Sequence, residues 1–140
     1  MTRVLVCGGR TFSDTTLAYK TLDRLHRQYG FDVVIEGDQK GADRIAGYWA
    51  RRNRLDDLKF KADWSDLSHS DAVIKTRLDG SKYDAKAGIR RNQRMLDEGH
   101  PDLVIAFPGG VGTADMVRRA NAAGIEVIEL LAPTPETKGE

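Results

Sequence analysis

The residues best suited to chemistry form a glycine-rich turn, Pro108-Gly109-Gly110-Val111-Gly112-Thr113. It follows the apolar run Asp102–Phe107 and leads into a helical pattern that begins near Ala114. Glycines let backbone N–H groups approach a ligand closely, and a helix N-terminus adds unpaired donors and the positive end of its dipole. The turn therefore predicts a phosphate site, most readily for a nucleotide. A purely structural connection is the alternative, because one glycine-rich turn is a weak motif.

Two further glycine-bearing turns follow apolar runs of the chain. Gly8-Gly9-Arg10 ends the run Arg3–Cys7, and the segment Gly37–Asp43 follows the run Asp32–Glu36. Short runs of β-branched and other apolar residues are typical of strands that are buried on both faces. Three turns that each follow such a strand would lie at one edge of a parallel sheet and would form a common mouth.

The elements that must position these turns alternate along the chain. Strands are predicted at residues 3–7, 32–36, 58–60, 103–107 and 125–129. Helices are predicted to begin at Ser13 or Asp14, at Gly41–Asp43, by about Ala85 and near Ala114, with Gly30, Gly99 and Gly124 as their ends. This alternation predicts an α/β fold, a single Rossmann-like three-layer domain with a parallel sheet of about five strands in the order 3-2-1-4-5. The first and fourth strands are then neighbours, so their turns face each other.

The length of 140 residues predicts one domain, residues 1–131, followed by a flexible tail from Ala132. Residues 65–83 show no periodicity and are polar and charged. We expect them to form an inserted loop, either a lid or dimer contact or a disordered segment.

Composition narrows the function classes. The formal net charge is only +1, which provides no global field for nucleic acid or membrane. A single cysteine, Cys7, excludes an internal disulfide framework, and the three histidines lack metal-ligand spacing. No stretch has the roughly 20 apolar residues of a membrane span, and no signal peptide is evident. We therefore expect a cytoplasmic protein without metal or other cofactor.

Together with the segment Arg91-Asn92-Gln93-Arg94-Met95, the three turns resemble the SLOG superfamily, most closely its YspA-like, cpYpsA-related branch of small bacterial and phage proteins. The resemblance covers about residues 3–130. It implies a Rossmann-like sheet that binds nucleotides or nucleotide-derived signals at the mouth, and often a homodimer. Relatives include the cytokinin-activating phosphoribohydrolases and the DNA-processing protein A family. Two departures are the insertion at 65–83 and Glu36-Gly37-Asp38, where a Gly-Gly pair is more usual.

The resemblance also implies which residues contact a phosphate or ribose. These are Gly8, Gly9, Arg10, Gly37, Gly41, Ala42, Asp43, Arg91, Asn92, Pro108, Gly109, Gly110, Gly112 and Thr113. Arg91 and Asn92 would reach the mouth from the first turns of their helix. Thr113 is predicted to cap the helix that follows it.

Catalysis would need a carboxylate near the sugar, and three candidates are Glu36, Asp43 and Asp115. The hydrolase branch reads Pro-Gly-Gly-x-Gly-Thr-x-x-Glu, and its Glu is thought to assist loss of the base. Here Met116 occupies that position, and Asp115 is rotated from it by about 100° on a helix. Asp43 has a structural alternative, in which it caps its helix or orients Arg10.

These observations predict a protein that binds a nucleoside phosphate or an ADP-ribose-like molecule, as a sensor, a sequestering protein or a processing enzyme. One alternative is a nucleotide N-glycosidase or phosphoribohydrolase, so whether the protein is an enzyme stays open. A second is a single-stranded DNA-binding protein, which the near-neutral charge disfavours. Gly8-Gly9-Arg10 does not continue as G-x-G-x-x-G and no Walker lysine follows a glycine loop, so NAD-dependent and ATP-hydrolysing functions are set aside.

Overall fold

The computed structural model describes residues 2–130, in which seven strands and four helices are found. The strands are β1 (Thr2–Cys7), β2 (Phe31–Glu36), β3 (Asp56–Lys59), β4 (Ile74–Thr76), β5 (Lys82–Asp84), β6 (Leu103–Ala106) and β7 (Glu126–Glu129). The helices are α1 (Thr15–Tyr29), α2 (Ala42–Arg52), α3 (Ala87–Gly99) and α4 (Val111–Ala122). The predicted tail from Ala132 lies outside the described residues.

The main sheet is parallel and has the order β3-β2-β1-β6-β7. In its centre Leu5 pairs with Ile35 of β2 on one side and with Val104 of β6 on the other. The strands β4 and β5 form a separate two-stranded sheet. With those two omitted, the order is the predicted 3-2-1-4-5, so the Rossmann-like α/β fold is confirmed.

The sheet is buried between two helical layers because alternate side chains of each strand face opposite sides. Val4 and Val6 of β1 pack with α1 and α2 in one hydrophobic cluster. Leu5 and Cys7 pack with residues of α3 and α4 in a second cluster. Burial on both faces explains why the central strands are continuously apolar in sequence.

The helix ends follow local capping chemistry. Asp14, one of two predicted caps, accepts a hydrogen bond of 3.0 Å from the Leu17 amide at the start of α1. Gly30 ends α1 with a positive φ of 71°. α3 begins two residues later than expected and is capped by His100, while the predicted terminator Gly99 is its last residue and packs against Ile35.

The segment 65–83 was expected to lack regular structure, and that expectation is wrong over part of its length. β4 and β5 form an antiparallel hairpin there, with Ile74 paired to Asp84. Each strand has only three residues, and β4 is exposed throughout. Such short, exposed strands show no hydrophobic periodicity, so the sequence contains no pattern from which these two strands can be predicted.

A polar anchor attaches this hairpin to the domain. The fully buried Asp84 carboxylate accepts hydrogen bonds from the amides of Val73 (3.1 Å) and Lys86 (2.9 Å) and from the Arg90 guanidinium. Burial alone would raise the pKa of Asp84, but these donors outweigh it and hold the pKa at about 2. Arg90 is therefore a structural residue that also binds Asp71 (2.6 Å).

The turns that follow β1 and β6 and the turn that precedes α2 meet at the carboxyl edge of the main sheet. The Gly9 amide donates to the Pro108 carbonyl (2.9 Å), and the Gly9 carbonyl accepts from the Ala42 amide (3.2 Å). Gly41 has a φ of 95°, and a Cβ atom there would overlap the Gly9 carbonyl oxygen. Within residues 2–130, none of the helices has the length and apolar character that crossing a membrane requires.

Gly41→Ala should lower the free energy of unfolding by roughly 3 kcal/mol, because backbone strain at positive φ is joined by a steric overlap with Gly9. The matched control is Gly124→Ala, which also has a positive φ (74°) but has open space around it. That variant should lose only about 1 kcal/mol. Urea denaturation of both variants measures the difference, and equal losses would contradict the packed junction.

Candidate functional site

The glycines of the three turns have two different roles. A Cβ atom at Gly8 would lie 2.6 Å from the Ala42 Cβ, and one at Gly9 would lie 3.1 Å from the Gly109 Cα. A Cβ atom at Gly109 would overlap the Thr113 Oγ1. These glycines, with Gly41, let the turns pack against one another. Around Gly110 and Gly112, by contrast, nothing lies within 4 Å of an added Cβ.

A cavity of about 370 Å³ lies at this junction, and we call it the mouth cavity. Its walls come from the β1 turn, the start of α2, the first turns of α3 and the start of α4. From the predicted site they include Gly8, Gly9, Arg10, Asp43, Arg91, Asn92, Gly110, Gly112 and Thr113. Other lining residues are Cys7, Gln39, Trp64, Ala85, Gly88, Ile89, Met95 and Val111. The structure thus brings together most of the residues that the motifs selected.

The start of α4 presents free donors to the mouth cavity. The helix begins at Val111, three residues earlier than expected, and its N-cap is Gly110, which offers no side chain to the helix amides. Thr113 lies inside the first turn, so its predicted capping role is wrong. Among residues 2–130, the amides of Val111, Gly112 and Thr113 have no hydrogen-bond acceptor. Val111 is 87% exposed. This helix end therefore offers three amides and the positive end of a dipole to an anion.

Arg91 brings a buried positive charge to the same cavity. Its guanidinium donates to the Gly37 carbonyl (2.6 Å) and to the Gln39 Oε1 (3.2 Å), and the residue is only 7% exposed. No carboxylate of residues 2–130 forms an ion pair with Arg91. Neutral oxygens therefore orient the guanidinium, while the carboxylates of Asp43 and Glu36 act on its charge without a direct ion pair.

Asn92 lines the cavity, yet its amide is committed to the protein. The Nδ2 group donates to the Gly112 carbonyl (3.1 Å) and to the Asp115 carboxylate (3.1 Å). Its Oδ1 accepts from the Arg91 Nε (3.2 Å). Asn92 thus links α3 to the first turn of α4 and holds Arg91 in place. Asn92 therefore positions the neighbouring predicted contact residues, Arg91 and Gly112, through its side chain.

Asp43 is the one member of the three candidate carboxylates that lines the mouth cavity. It lies in the first turn of α2, is 6% exposed and accepts from the Gln39 amide (3.3 Å). Burial raises the pKa of Asp43 to about 6, although the Arg91 charge and the amides of Gln39 and Gly37 oppose the rise. A carboxyl group with this pKa can exchange a proton near neutral pH.

Asp115 and Glu36 do not line the mouth cavity. Asp115 accepts hydrogen bonds from Arg118 (2.6 Å), Arg119 (2.8 Å) and Asn92, so its oxygens are occupied. Glu36 is fully buried beneath α2 beside Gly47, and its oxygens accept from the Asp38 amide (2.5 Å) and from Lys59 Nζ (2.5 Å). Neither carboxylate lines the space in which a sugar would be held, so their candidacy as catalytic residues finds no geometric support.

The remaining predicted residues shape the turns or lie at the rim. Gly37 is buried, and a Cβ atom there would lie 2.8 Å from the Asp43 Oδ2 and would also overlap the Arg91 guanidinium. Gly41, Ala42, Pro108 and Gly109 hold the turns together through the contacts already described. Arg10 is exposed at the rim, where its side chain has no hydrogen-bond partner among residues 2–130.

Trp64 is a cavity residue that the sequence motifs did not select. It is partly exposed, and its carbonyl accepts from the Asp84 amide (2.8 Å) at the base of the hairpin. Its ring lies edge-on to Tyr83, and a Cβ at Gly88 would come within 3.0 Å of it. No local sequence pattern identifies Trp64 as a cavity residue, because its contacts are with distant residues in the hairpin and in α3.

Cys7 also lines the cavity, but its chemistry is that of a core residue. The thiol is buried, and burial raises the pKa of Cys7 well above its ordinary value, which disfavours a thiolate nucleophile. In the described part of the chain, no three His, Cys, Asp or Glu side chains are grouped so that they could hold a metal ion.

Comparison with known proteins identifies the family. Residues 2–66 match the model of the YspA, cpYpsA-related SLOG family. The Gene 61 protein of Mycobacterium phage D29 is 38% identical over 132 residues, which are 91% of this chain and 95% of the phage protein. The chain belongs to the YspA, cpYpsA-related SLOG family.

The solved structure of MurG supports the Rossmann-like fold of this SLOG protein. MurG of Acinetobacter baumannii superposes on 94% of the chain with a TM-score of 0.57 and 15% identity. DNA processing protein A from Streptococcus pneumoniae covers 91% of the chain with a TM-score of 0.47 and 19% identity. The chain spans 35% of the MurG chain and 58% of the DNA processing protein chain. At such identities the MurG match supports the Rossmann-like layout alone.

The environment of Glu36 makes stability depend on pH. Burial, together with the neighbouring Asp57, raises the pKa of Glu36 to about 8, although the hydrogen bond from Lys59 opposes the rise. The folded state therefore binds this proton more tightly than the unfolded state, in which the ordinary pKa is 4.5. Stability from this group is present at low pH and is lost as the pH rises from about 4.5 through about 8.

Glu36→Gln should remove this dependence. Relative to that variant, the wild type should lose about 1 kcal/mol or more of unfolding free energy between about pH 5 and pH 8, because one pKa unit corresponds to about 1.4 kcal/mol. Urea denaturation across this range measures the change. Glu98→Gln, which alters an exposed glutamate of α3, serves as the control and should run parallel to the wild type. A parallel profile for Glu36→Gln would show that its proton is not bound preferentially by the folded state.

Proposed function

We propose that this protein binds a nucleotide or a nucleotide-derived ligand, a nucleoside phosphate or an ADP-ribose-like molecule, in the mouth cavity. The observation that carries the proposal is the uncapped start of α4, whose three amides have no acceptor among residues 2–130 and open into a cavity that Arg91 also lines. A phosphate would accept hydrogen bonds from these amides and would benefit from the helix dipole.

Charge in the cavity supports an anionic ligand. The Arg91 guanidinium is buried and forms no direct ion pair with a carboxylate of residues 2–130, although the Asp43 charge acts on it from nearby. A phosphate would add a directly bonded negative group, and a guanidinium suits the geometry of phosphate oxygens. Arg10 at the rim adds a second cation that can reach an entering ligand.

The apolar lining residues support a ligand that also has an apolar part. Trp64, Ala85, Ile89 and Met95 also line the cavity. A flat indole beside aliphatic side chains suits a nucleobase, because rings stack well on tryptophan. A few polar groups that converge on an otherwise apolar pocket are typical of small-molecule sites. Family membership agrees with this assignment, and the role would be that of a sensor, a sequestering protein or a processing enzyme.

Gly110→Asp should abolish the rise in melting temperature that nucleotides cause, because the new carboxylate would occupy the α4 amides and repel phosphate. The fold should be retained, since a Cβ at Gly110 meets open space. An aspartate at an N-cap should even raise the unliganded free energy of unfolding by a few tenths of a kcal/mol, roughly 0.3. Thermal shift with a panel of nucleoside monophosphates measures the first effect, and urea denaturation measures the second.

Gly110→Asn is the matched control, because it has the same size and capping ability without the charge. It should weaken the nucleotide-induced shift less than Gly110→Asp does. Retention of the full shift in the aspartate variant would contradict phosphate binding at α4. Failure of every nucleotide to stabilise the wild type would contradict the proposed function as a whole.

Hydrolysis of an N-glycosidic bond is the second candidate function, and the position of Asp43 favours it. A buried carboxyl group with a pKa of about 6 lies on the cavity wall beside Arg91. As a base it would take a proton from the water whose oxygen bonds to the anomeric carbon, while the nucleobase leaves with the electrons of the broken C–N bond and takes up a proton from solvent. Because Met116 stands where the hydrolase motif has a glutamate, Asp43 would act here without the help of that glutamate.

If the protein is a hydrolase, Asp43→Asn should lower the rate of base release by about 10²- to 10⁴-fold, the usual contribution of a general base. The wild-type rate should rise with pH through about 6, because the base is active when Asp43 has lost its proton. Chromatographic detection of free base from nucleoside monophosphates provides the measurement. Asp115→Asn, outside the cavity, is a control that should retain the pH profile. No free base at high wild-type concentration would reject this candidate.

A further inference from the structure

A second cavity of about 370 Å³ adjoins the mouth cavity, and we call it the cationic bay. It lies between the turn after β2 and the segment that follows β3. Four residues, Arg10, Gln39, Trp64 and Arg91, line both cavities. The two spaces therefore share a wall made by the rim, the buried guanidinium and the indole.

The bay gathers positive charge from separate parts of the chain. Five cationic side chains line it, and they come from the β1 turn, the β2 turn and α2, the segment after β3, and α3: Arg10, Lys40, Arg44, Lys61 and Arg91. One carboxylate, Asp38, lines it as well. The whole chain has a net charge of only +1, so this local excess does not follow from a generally basic composition.

The single carboxylate of the bay is shared and does not neutralise it. Asp38 lies 4.0 Å from the Arg44 Nε and 3.8 Å from the Lys59 Nζ. Lys40, Lys61 and Arg10 form no ion pair with any carboxylate of residues 2–130. Cations that converge on a concave surface without acidic partners repel one another, and a bound anion relieves that repulsion.

We propose that the cationic bay binds a second anionic group of the same ligand. The ligand would be a nucleotide derivative with at least two phosphate groups, such as a nucleoside diphosphate or a pyrophosphate-linked nucleotide. This inference rests on the proposed function, because it assumes that a first phosphate binds at the start of α4. The two sites differ in chemistry, since helix amides would hold the first group and lysine and arginine side chains would hold the second.

Arg91 and Trp64 explain how one ligand can occupy both spaces. The Arg91 guanidinium is fixed by Gly37, Gln39 and Asn92, and it faces the mouth cavity and the bay at once. Trp64 lines both spaces beside it, so a nucleoside against the indole could extend a chain of two adjacent phosphates past Arg91, which would contact both. A nucleoside monophosphate would leave the bay without an anion.

The test compares affinities of the full chain for matched ligands by isothermal titration calorimetry at constant ionic strength. The probes are the mono- and diphosphates of adenosine, guanosine, cytidine and uridine, together with ADP-ribose. In the wild type, the diphosphate of the preferred nucleoside should bind about tenfold more tightly than its monophosphate, the effect of one or two added charge-assisted hydrogen bonds.

The double variant Lys40→Gln/Lys61→Gln should remove most of this tenfold preference and should lower monophosphate affinity much less. Both lysines are exposed and form no ion pair in the described residues, so the fold should tolerate the change. Lys20→Gln, which alters an exposed lysine of α1 outside both cavities, is the matched control and should keep the preference.

Each other outcome overturns the inference in a recognisable way. Equal affinity of the wild type for mono- and diphosphates would overturn the second subsite. So would an equal loss of affinity for both ligands in the double lysine variant. In either case, loss of the nucleotide-induced shift in Gly110→Asp would still support the first subsite. Salt-sensitive binding of a short single-stranded oligonucleotide through the two lysines, without a diphosphate preference, would assign the bay to a nucleic-acid backbone instead. Absence of binding by every probe would overturn the proposed function and this inference together.

Discussion

One backbone residue joins the parts of the molecule on which its chemistry depends. The Gly9 amide binds the Pro108 carbonyl, and the Gly9 carbonyl binds the Ala42 amide, so the turn after β1 is tied to the turn after β6 and to the start of α2. These contacts require the backbones to approach more closely than side chains allow. The start of α4 and the first turn of α2 consequently face a common space whose shape is set before any ligand arrives, which limits the ordering that binding would require.

The glycines at and near this junction have two different roles. Those at the junction are needed because Cβ atoms would separate the turns, whereas Gly110 and Gly112 face open space and expose the amides of α4. A glycine-rich motif therefore combines structural residues with residues available to a ligand. Asn92 and Arg91 show the same arrangement in side chains, since the Asn92 amide is used internally and leaves the Arg91 charge directed at the cavity.

Polar interactions attach the insertion to the domain beside the candidate site. Asp84 and Arg90 anchor a hairpin that contributes little to the hydrophobic core, and the Asp84 amide binds the Trp64 carbonyl beside the cavity. The domain thus gains an aromatic wall from Trp64, which directly precedes the insertion and is held by a hydrogen bond from its far end. Charged side chains from four segments collect next to that wall, although the chain as a whole is nearly neutral.

The sequence by itself determined the α/β class, the five-stranded order and the meeting of the three turns, because burial on two faces makes strands continuously apolar and parallel connections restrict their order. It also selected most residues of the mouth cavity. Only the tertiary structure decided which carboxylate lies in the cavity, that Asn92 is occupied, that the insertion forms a hairpin and that Trp64 lines the site. These properties depend on where a side chain points and on contacts between residues far apart in the chain, such as those of Arg91 with Gly37 and of Asp84 with Trp64. Local patterns record periodic burial, and they carry no information on such non-periodic contacts.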